Sequence, residues 1–214
     1  MYEVMSKESF MALSVMERRK LLLEDVILQV SLNHITPVTG TFATHRGKEG
    51  GGLFDLDGKL DVTCPVAKAV LLDGSCHVCA KGAMFVAALM RTDNYTVHDF
   101  RGGHGQGRIH ERVTCDLGVF TEDQMDSMEH AFEGWGVDNS EADDDSLSTD
   151  VVSDKYGFLN FFQVFDDEGE RLVAICMNIL ENHGYFVTKN AISREQVLAR
   201  IEKAKTTYAH ERVC

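Results

Sequence analysis

The sequence predicts an α+β fold in a single domain spanning residues 1–214. Three observations predict it: about five segments with helical apolar spacing or a helix-start signal, several short strand-like segments bounded by turn signals, and no regular alternation of the two. No internal repeat is present, and 214 residues suit one domain.

The first helix opens at Ser14, a good N-cap, with Glu17 three residues on completing a capping box. Met16, Leu23, Ile27 and Val30 then form one apolar stripe, with Arg18, Lys20, Glu24 and Gln29 away from its centre. From Thr36 to Leu72 the pattern changes. Thr39-Gly-Thr-Phe-Ala, Leu53 to Leu56, Leu60 to Val62 and Ala69 to Leu72 read as short strands or irregular segments. Asp57-Gly58 is a hairpin signal, and Asp73-Gly74 marks another turn. Ser75 opens a second helix, roughly His77 to Arg91. It is apolar on almost every face, so it is expected to be the buried central helix.

Tyr95 to Phe100 alternates as a strand does, and a glycine-rich segment follows. Thr121 and Gln124 have capping-box spacing at a third helix, with Met125, Met128, Phe132 and Trp135 as its stripe. Residues 138–154 hold seven acidic residues and no basic or aromatic one, the composition of a mobile acidic loop. Tyr156 to Phe165, dense in aromatics, is expected to be a buried strand, with a helix as the alternative.

Asp167 caps a fourth helix, with Glu170 at the capping-box position and Leu172, Ile175, Cys176 and Ile179 as its stripe. His183 falls on that stripe, four residues after Ile179 and in the last turn, where a histidine suits the helix dipole. Gly184 stands where a left-handed C-cap belongs. Tyr185 to Thr188 reads as a short strand. Ser193 with Gln196 opens the last helix, whose buried face carries Val197, Ile201, Ala204 and Tyr208.

Charge excludes some functions. The formal net charge of −13 argues against general nucleic-acid binding or attachment to an anionic membrane. The longest apolar helical stretch, Gly82 to Met90, falls far short of the roughly 20 residues of a membrane span. Residues 1–10 lack the basic start and apolar centre of a signal peptide, so the expected location is the cytoplasm, with reduced cysteines.

Three stretches resemble one another's company in a known group. Cys76-His-Val-Cys-Ala-Lys-Gly-Ala83, Phe120-Thr-x-x-Gln-Met-x-x-Met-Glu-x-Ala-Phe-Glu133 and Glu170-Arg-Leu-Val-Ala-Ile-Cys-Met-Asn-Ile-Leu-Glu-Asn-His-Gly184 resemble motifs found together in small uncharacterised proteins of bacteriophages and bacteria. The opening helix followed by Gly40-Thr-Phe also fits. The resemblance covers about two thirds of the chain. It implies a phage-type accessory protein, acting in the host cytoplasm, and transfers no catalytic residue.

Two candidate sites stand out. Arg101-Gly-Gly-His-Gly-Gln-Gly-Arg108 with His110 and Arg112 concentrates positive charge in an acidic chain. Glycines let backbone N–H groups approach an anion, and arginines bind phosphate or carboxylate bidentately. His45-Arg-Gly-Lys-Glu-Gly-Gly-Gly52 has the same character. Arg101, His104, Arg108, Arg112, Arg46 and Lys48 are therefore the expected contacts for a small anionic, nucleotide-like ligand, held between these segments and the start of the central helix. Solvated loops are the plain alternative. No Gly-Lys-Ser/Thr is present, so a P-loop is unsupported.

The second candidate is Cys76-x-x-Cys79. Two thiolates at this spacing can share zinc, with Cys64 or Cys115 and a histidine completing it. Small buried cysteines packing at the start of an apolar helix are the favoured reading of the pair, ahead of metal and of redox or nucleophilic chemistry. No cofactor is expected. No nucleophile elbow or dinucleotide fingerprint occurs, so no reaction is supported. The expected partners are a small anionic ligand or a host protein met by the acidic surface, and a homo-oligomer is compatible with the chain.

Overall fold

The computed structural model describes residues 5–40, 43–45, 76–92, 117–134, 161, 164–186 and 192–211. The elements among them are α1 (Lys7–Ala12), α2 (Val15–Ser31), β1 (Ile35–Pro37), β2 (Ala43–His45), β3 (Cys76–Val78), α3 (Ala80–Arg91), α4 (Glu122–Glu133), α5 (Glu168–Glu181) and α6 (Arg194–Glu211). The fold is α+β, with helix dominant. The strands form one small sheet in the order β1-β3-β2. β1 runs parallel to β3, pairing Ile35 with Cys76, and β2 runs antiparallel to it, pairing His45 with Cys76.

α2 is the hub, packing against α3, α5, α6 and β1. Its capping box forms as the sequence predicts: the Glu17 N–H donates to the Ser14 hydroxyl, and the Ser14 N–H donates to the Glu17 carboxylate. Its buried face is wider than the expected stripe. Leu22, Leu23, Val26 and Ile27 are fully buried, whereas Met16 is exposed. Arg18 and Gln29, expected away from the core, are buried too.

The helix expected from His77 begins three residues later. Cys76–Val78 is the central strand of the sheet, and Cys79 in extended backbone is the N-cap of α3. An apolar run has no period of its own to separate a buried strand from a buried helix. α3 is buried along nearly its whole length. The centre it was expected to occupy is shared with α2 and with α5, whose residues from Glu170 to Ile179 are all buried. Complete burial of Leu172, Val173 and Ile175 alone contributes on the order of 1.5–3 kcal/mol each.

α1 was not foreseen in the sequence; Ser6 caps it and Phe10 anchors it in the core. The expected strand at 156–165 is contradicted where it is described: the Phe165 N–H donates to the Phe161 carbonyl, a helical bond, and the two rings stack. α5 ends before His183, which is exposed and left-handed (φ +55°) and so does not share the apolar stripe. Gly184 (φ +85°) completes the turn, its N–H bonded to the Ile179 carbonyl. No strand begins at Tyr185 or Phe186. The acidic segment 138–154, Trp135 and the short segments between Leu53 and Leu72 lie outside the described residues.

Three buried arginines lock the helices through backbone carbonyls. Arg18 donates to the Leu117 carbonyl (2.5 Å). Arg19 donates to the carbonyls of Val119 (2.6 Å) and Gly184 (2.7 Å) and to Gln124 Oε1 (3.0 Å), with its guanidinium between the Phe120 and Tyr185 rings. Arg171 donates to the carbonyls of Phe165 and Phe132. Planar multidentate donors suit such junctions, where a single ammonium would leave acceptors unsatisfied.

Candidate functional site

The start of α3 is the place where the described structure gathers ionisable groups. β3 delivers Cys79 to the helix N-terminus, where its Sγ accepts from the Gly82 N–H at 3.5 Å. α4 packs alongside and presents Asp126, Glu129 and Glu133 on one face, at the i, i+3 and i+7 positions that share a helix side. The Cys79 thiol donates to Glu129 Oε1 at 3.4 Å. Lys81, buried in the first turn of α3, donates to Asp126 (2.5 Å) and lies 2.6 Å from Glu129. Glu133 accepts two bonds from the Gly40 N–H (2.9 and 2.7 Å), and Glu168 of α5 accepts one from Thr39 (2.8 Å). Gly40 has φ +70°, a backbone state that favours glycine.

The electrostatics are those of a lock. Carboxylates are disfavoured at the C-terminal end of α4, and the Lys81 charge and the Gly40 N–H offset that. Burial works against the Lys81 ammonium, yet its bonds to Asp126 and Glu129 and their charges prevail and hold its pKa above the usual value. Burial first, then the Glu129 charge, pushes the Cys79 thiol up to about 12. It is therefore a neutral thiol at physiological pH and a poor nucleophile. Burial likewise raises Glu133, opposed by the Gly40 bond.

Cys79, Glu129 and Glu133 place their ligand atoms within 4.8 Å of one another. Both carboxylates are already satisfied, by Lys81 and by Gly40. The expected partner thiol, Cys76, is not part of this group; it lies fully buried on β3. Cys64 and Cys115 lie outside the described residues, as do Arg101, His104, Arg108, Arg112, Arg46 and Lys48. What the structure does describe is where the two basic segments are rooted. Segment 46–75 leaves and returns at His45 and Cys76, which are paired across the sheet. Segment 93–116 leaves after Arg91, paired with Asp25, and returns at Leu117, held by Arg18. The start of the central helix, expected to help seat the anion, faces carboxylates among the described residues, so its own surroundings suit positive charge.

The Cys79–Lys81–Glu129 cluster was not legible beyond Cys79, because α4 is about 50 residues away in sequence. No family model, no curated protein and no solved structure matches this chain. Among the described residues no helix is long and apolar enough to cross a membrane.

Proposed function

We propose that this is a non-enzymatic, phage-type accessory protein that holds a small anionic, nucleotide-like ligand through Arg101, His104, Arg108 and Arg112, with Arg46 and Lys48 in support. Sequestration of a host signal is the use that such a site suits. The observation that supports the reading best is the rooting of segment 93–116. The described residues on either side of it, Arg91 and Leu117, are tied to Asp25 and Arg18 of α2, seven residues and about 10 Å apart along the helix. A glycine- and arginine-rich segment carried on a rigid base is how scaffolds commonly present anion-binding backbone. The described arginines are engaged elsewhere: the buried Arg18, Arg19 and Arg171 with carbonyls, Arg91 with Asp25, Arg194 with Glu170 and Arg200 with Glu24.

The test is native mass spectrometry of protein purified from cells, before and after denaturation, followed by titration with adenine and guanine nucleotides. Replacing Arg101 and Arg108 with alanine should abolish nucleotide binding and leave the melting temperature of the ligand-free protein within about 1 °C. Binding that survives the double substitution refutes the assignment.

A further inference from the structure

The seam between α2 and α3 holds a carboxylate, Asp25, whose protonation plays no part in the ligand reading. Asp25 is fully buried on α2. Arg91, the last residue of α3, approaches with Nη2 3.1 Å from Asp25 Oδ1. Arg91 and Gln29 both favour the ionised carboxyl, yet neither carboxylate oxygen accepts a well-aligned hydrogen bond. A buried carboxylate so poorly bonded is costly, and a proton relieves it.

The surroundings define the pair. Gln29, itself buried one turn along α2, links Asp25 to His34: His34 Nδ1 lies 2.9 Å from Gln29 Oε1, and His34 packs edge-on against Tyr208 of α6. α5 and α6 face the neighbouring Glu24 instead, which pairs with Arg200 and acts on Cys176. At the N-terminal end of α5, Glu170 is bonded to Arg194 and Arg171 to carbonyls. β1 carries no charged residue, and Lys81 lies at the far end of α3 with Asp126 and Glu129. On α1, Glu8 is bonded to Ser6 and its own helix start, and Lys7 is its charged neighbour. Arg91 is thus the charge that acts on Asp25. The same seam fixes the N-terminal segment, since the Met5 N–H donates to the Arg91 carbonyl and Met5 bridges to Thr92.

We propose that the Asp25–Arg91 pair is a proton-controlled seam, closed while Asp25 is protonated and loosened at Arg91, Thr92 and Met5 when that proton is lost. An opened seam hydrates the carboxylate and returns it to ordinary acidity, so the open form binds the proton more weakly and rising pH favours it. Burial raises Asp25 from 3.8 to about 7, which places the change near neutrality. Thr92 precedes segment 93–116 in the chain, but the proposal stands whether or not that segment binds an anion.

Native-state hydrogen exchange between pH 6 and 8.5, corrected for intrinsic base catalysis, tests it on the full chain. The Met5 and Thr92 amides should lose about tenfold in protection across that range, from linkage between values of 3.8 and about 7. Asp25→Asn should make their protection independent of pH. Carboxyl carbon-13 titration of the unsubstituted protein should place the Asp25 inflection near neutrality, which keeps the test open if the variant folds poorly. Unchanged protection overturns the proposal, as does an Asp25 inflection below pH 5. A pH dependence that survives Asp25→Asn and disappears with His34→Asn assigns the proton to His34 and overturns it equally.

Discussion

Replacing Arg19 with alanine should be among the most destabilising single changes available in this fold. Its side chain is nearly buried and joins α2 to two distant turns, through the carbonyls of Val119 and Gly184 and the side chain of Gln124. Val119 is fully buried and Gly184 is buried, so neither carbonyl gains good access to water when the guanidinium goes. Each buried acceptor left unsatisfied costs roughly 1–3 kcal/mol. Loss of the cation–π contacts to Phe120 (5.2 Å) and Tyr185 (5.6 Å) adds about 0.5–1 kcal/mol each. Against this stands the relieved desolvation of the guanidinium, which burial already pulls below its usual pKa. The net expectation is about 3–5 kcal/mol, or a fall in melting temperature of around 10 °C for a chain of this size. Arg19→Lys should lose about half as much, because one ammonium cannot reach three diverging acceptors. Urea unfolding monitored by circular dichroism measures both, with an unchanged m-value required for the comparison. A loss below about 1 kcal/mol for Arg19→Ala would refute the claim that Arg19 holds the three segments together.

Other changes test other parts of the structure. Gly184→Ala should cost about 2 kcal/mol by urea unfolding, since its φ of +85° is strained for alanine and the new methyl would meet Met16 Sδ and Arg19 Cδ. Gly40→Ala, at φ +70° with nothing within 4 Å of the new methyl, should cost only about 1 kcal/mol. Native protein treated with iodoacetamide at pH 7.5 should show no alkylation of Cys76, Cys79 or Cys176 by peptide mapping, because all three are buried and burial raises the thiols of Cys79 and Cys176; rapid labelling of Cys79 would contradict the lock described at the start of α3. Lys81→Met should destabilise by about 2–4 kcal/mol in urea unfolding at pH 7, by leaving Glu129 facing Asp126 and Glu133 without its counter-charge; a loss below about 0.5 kcal/mol would contradict the lock.

How much of this was legible depends on the range of each interaction. The boxes Ser14–Glu17, Thr121–Gln124 and Ser193–Gln196 are all present, because both partners lie three residues apart and compete with little else. Glu170 shows where that logic stops. It has the right spacing after Asp167, and its N–H is capped, but its carboxylate turns away to Arg194, 24 residues on. The strand Cys76–Val78 was read as the start of α3 because its neighbours across the sheet, Ile35 and His45, are what make it a strand. Helical spacing sets Gln29 and Arg18 away from the centre of the apolar stripe, and their burial depends on partners at His34 and Leu117 that spacing does not reveal. The Cys76–Cys79 spacing located a chemically distinctive helix start, but the groups that give it character, Glu129 and Glu133, reach it only through the packing of α4 on α3.

The placement of positive charge connects the core to the proposed function. With 21 basic residues against 34 acidic ones, each arginine committed to the interior deepens the negative field of the surface that remains. Arg18, Arg19 and Arg171 donate to carbonyls, which carry no formal charge, and so hold helices together through neutral acceptors. An anion approaching such a surface is repelled unless cations are concentrated locally. The segment 101–112, with Arg101, Arg108 and Arg112 against Glu111, is such a concentration in the sequence. On the proposed reading, a repulsive field elsewhere would confine an anionic ligand to that segment and disfavour long polyanions, whose length would extend over the acidic remainder. This charge distribution would then favour a small anion over a nucleic acid, and binding at segment 101–112 should weaken with salt far less steeply than nucleic-acid binding does.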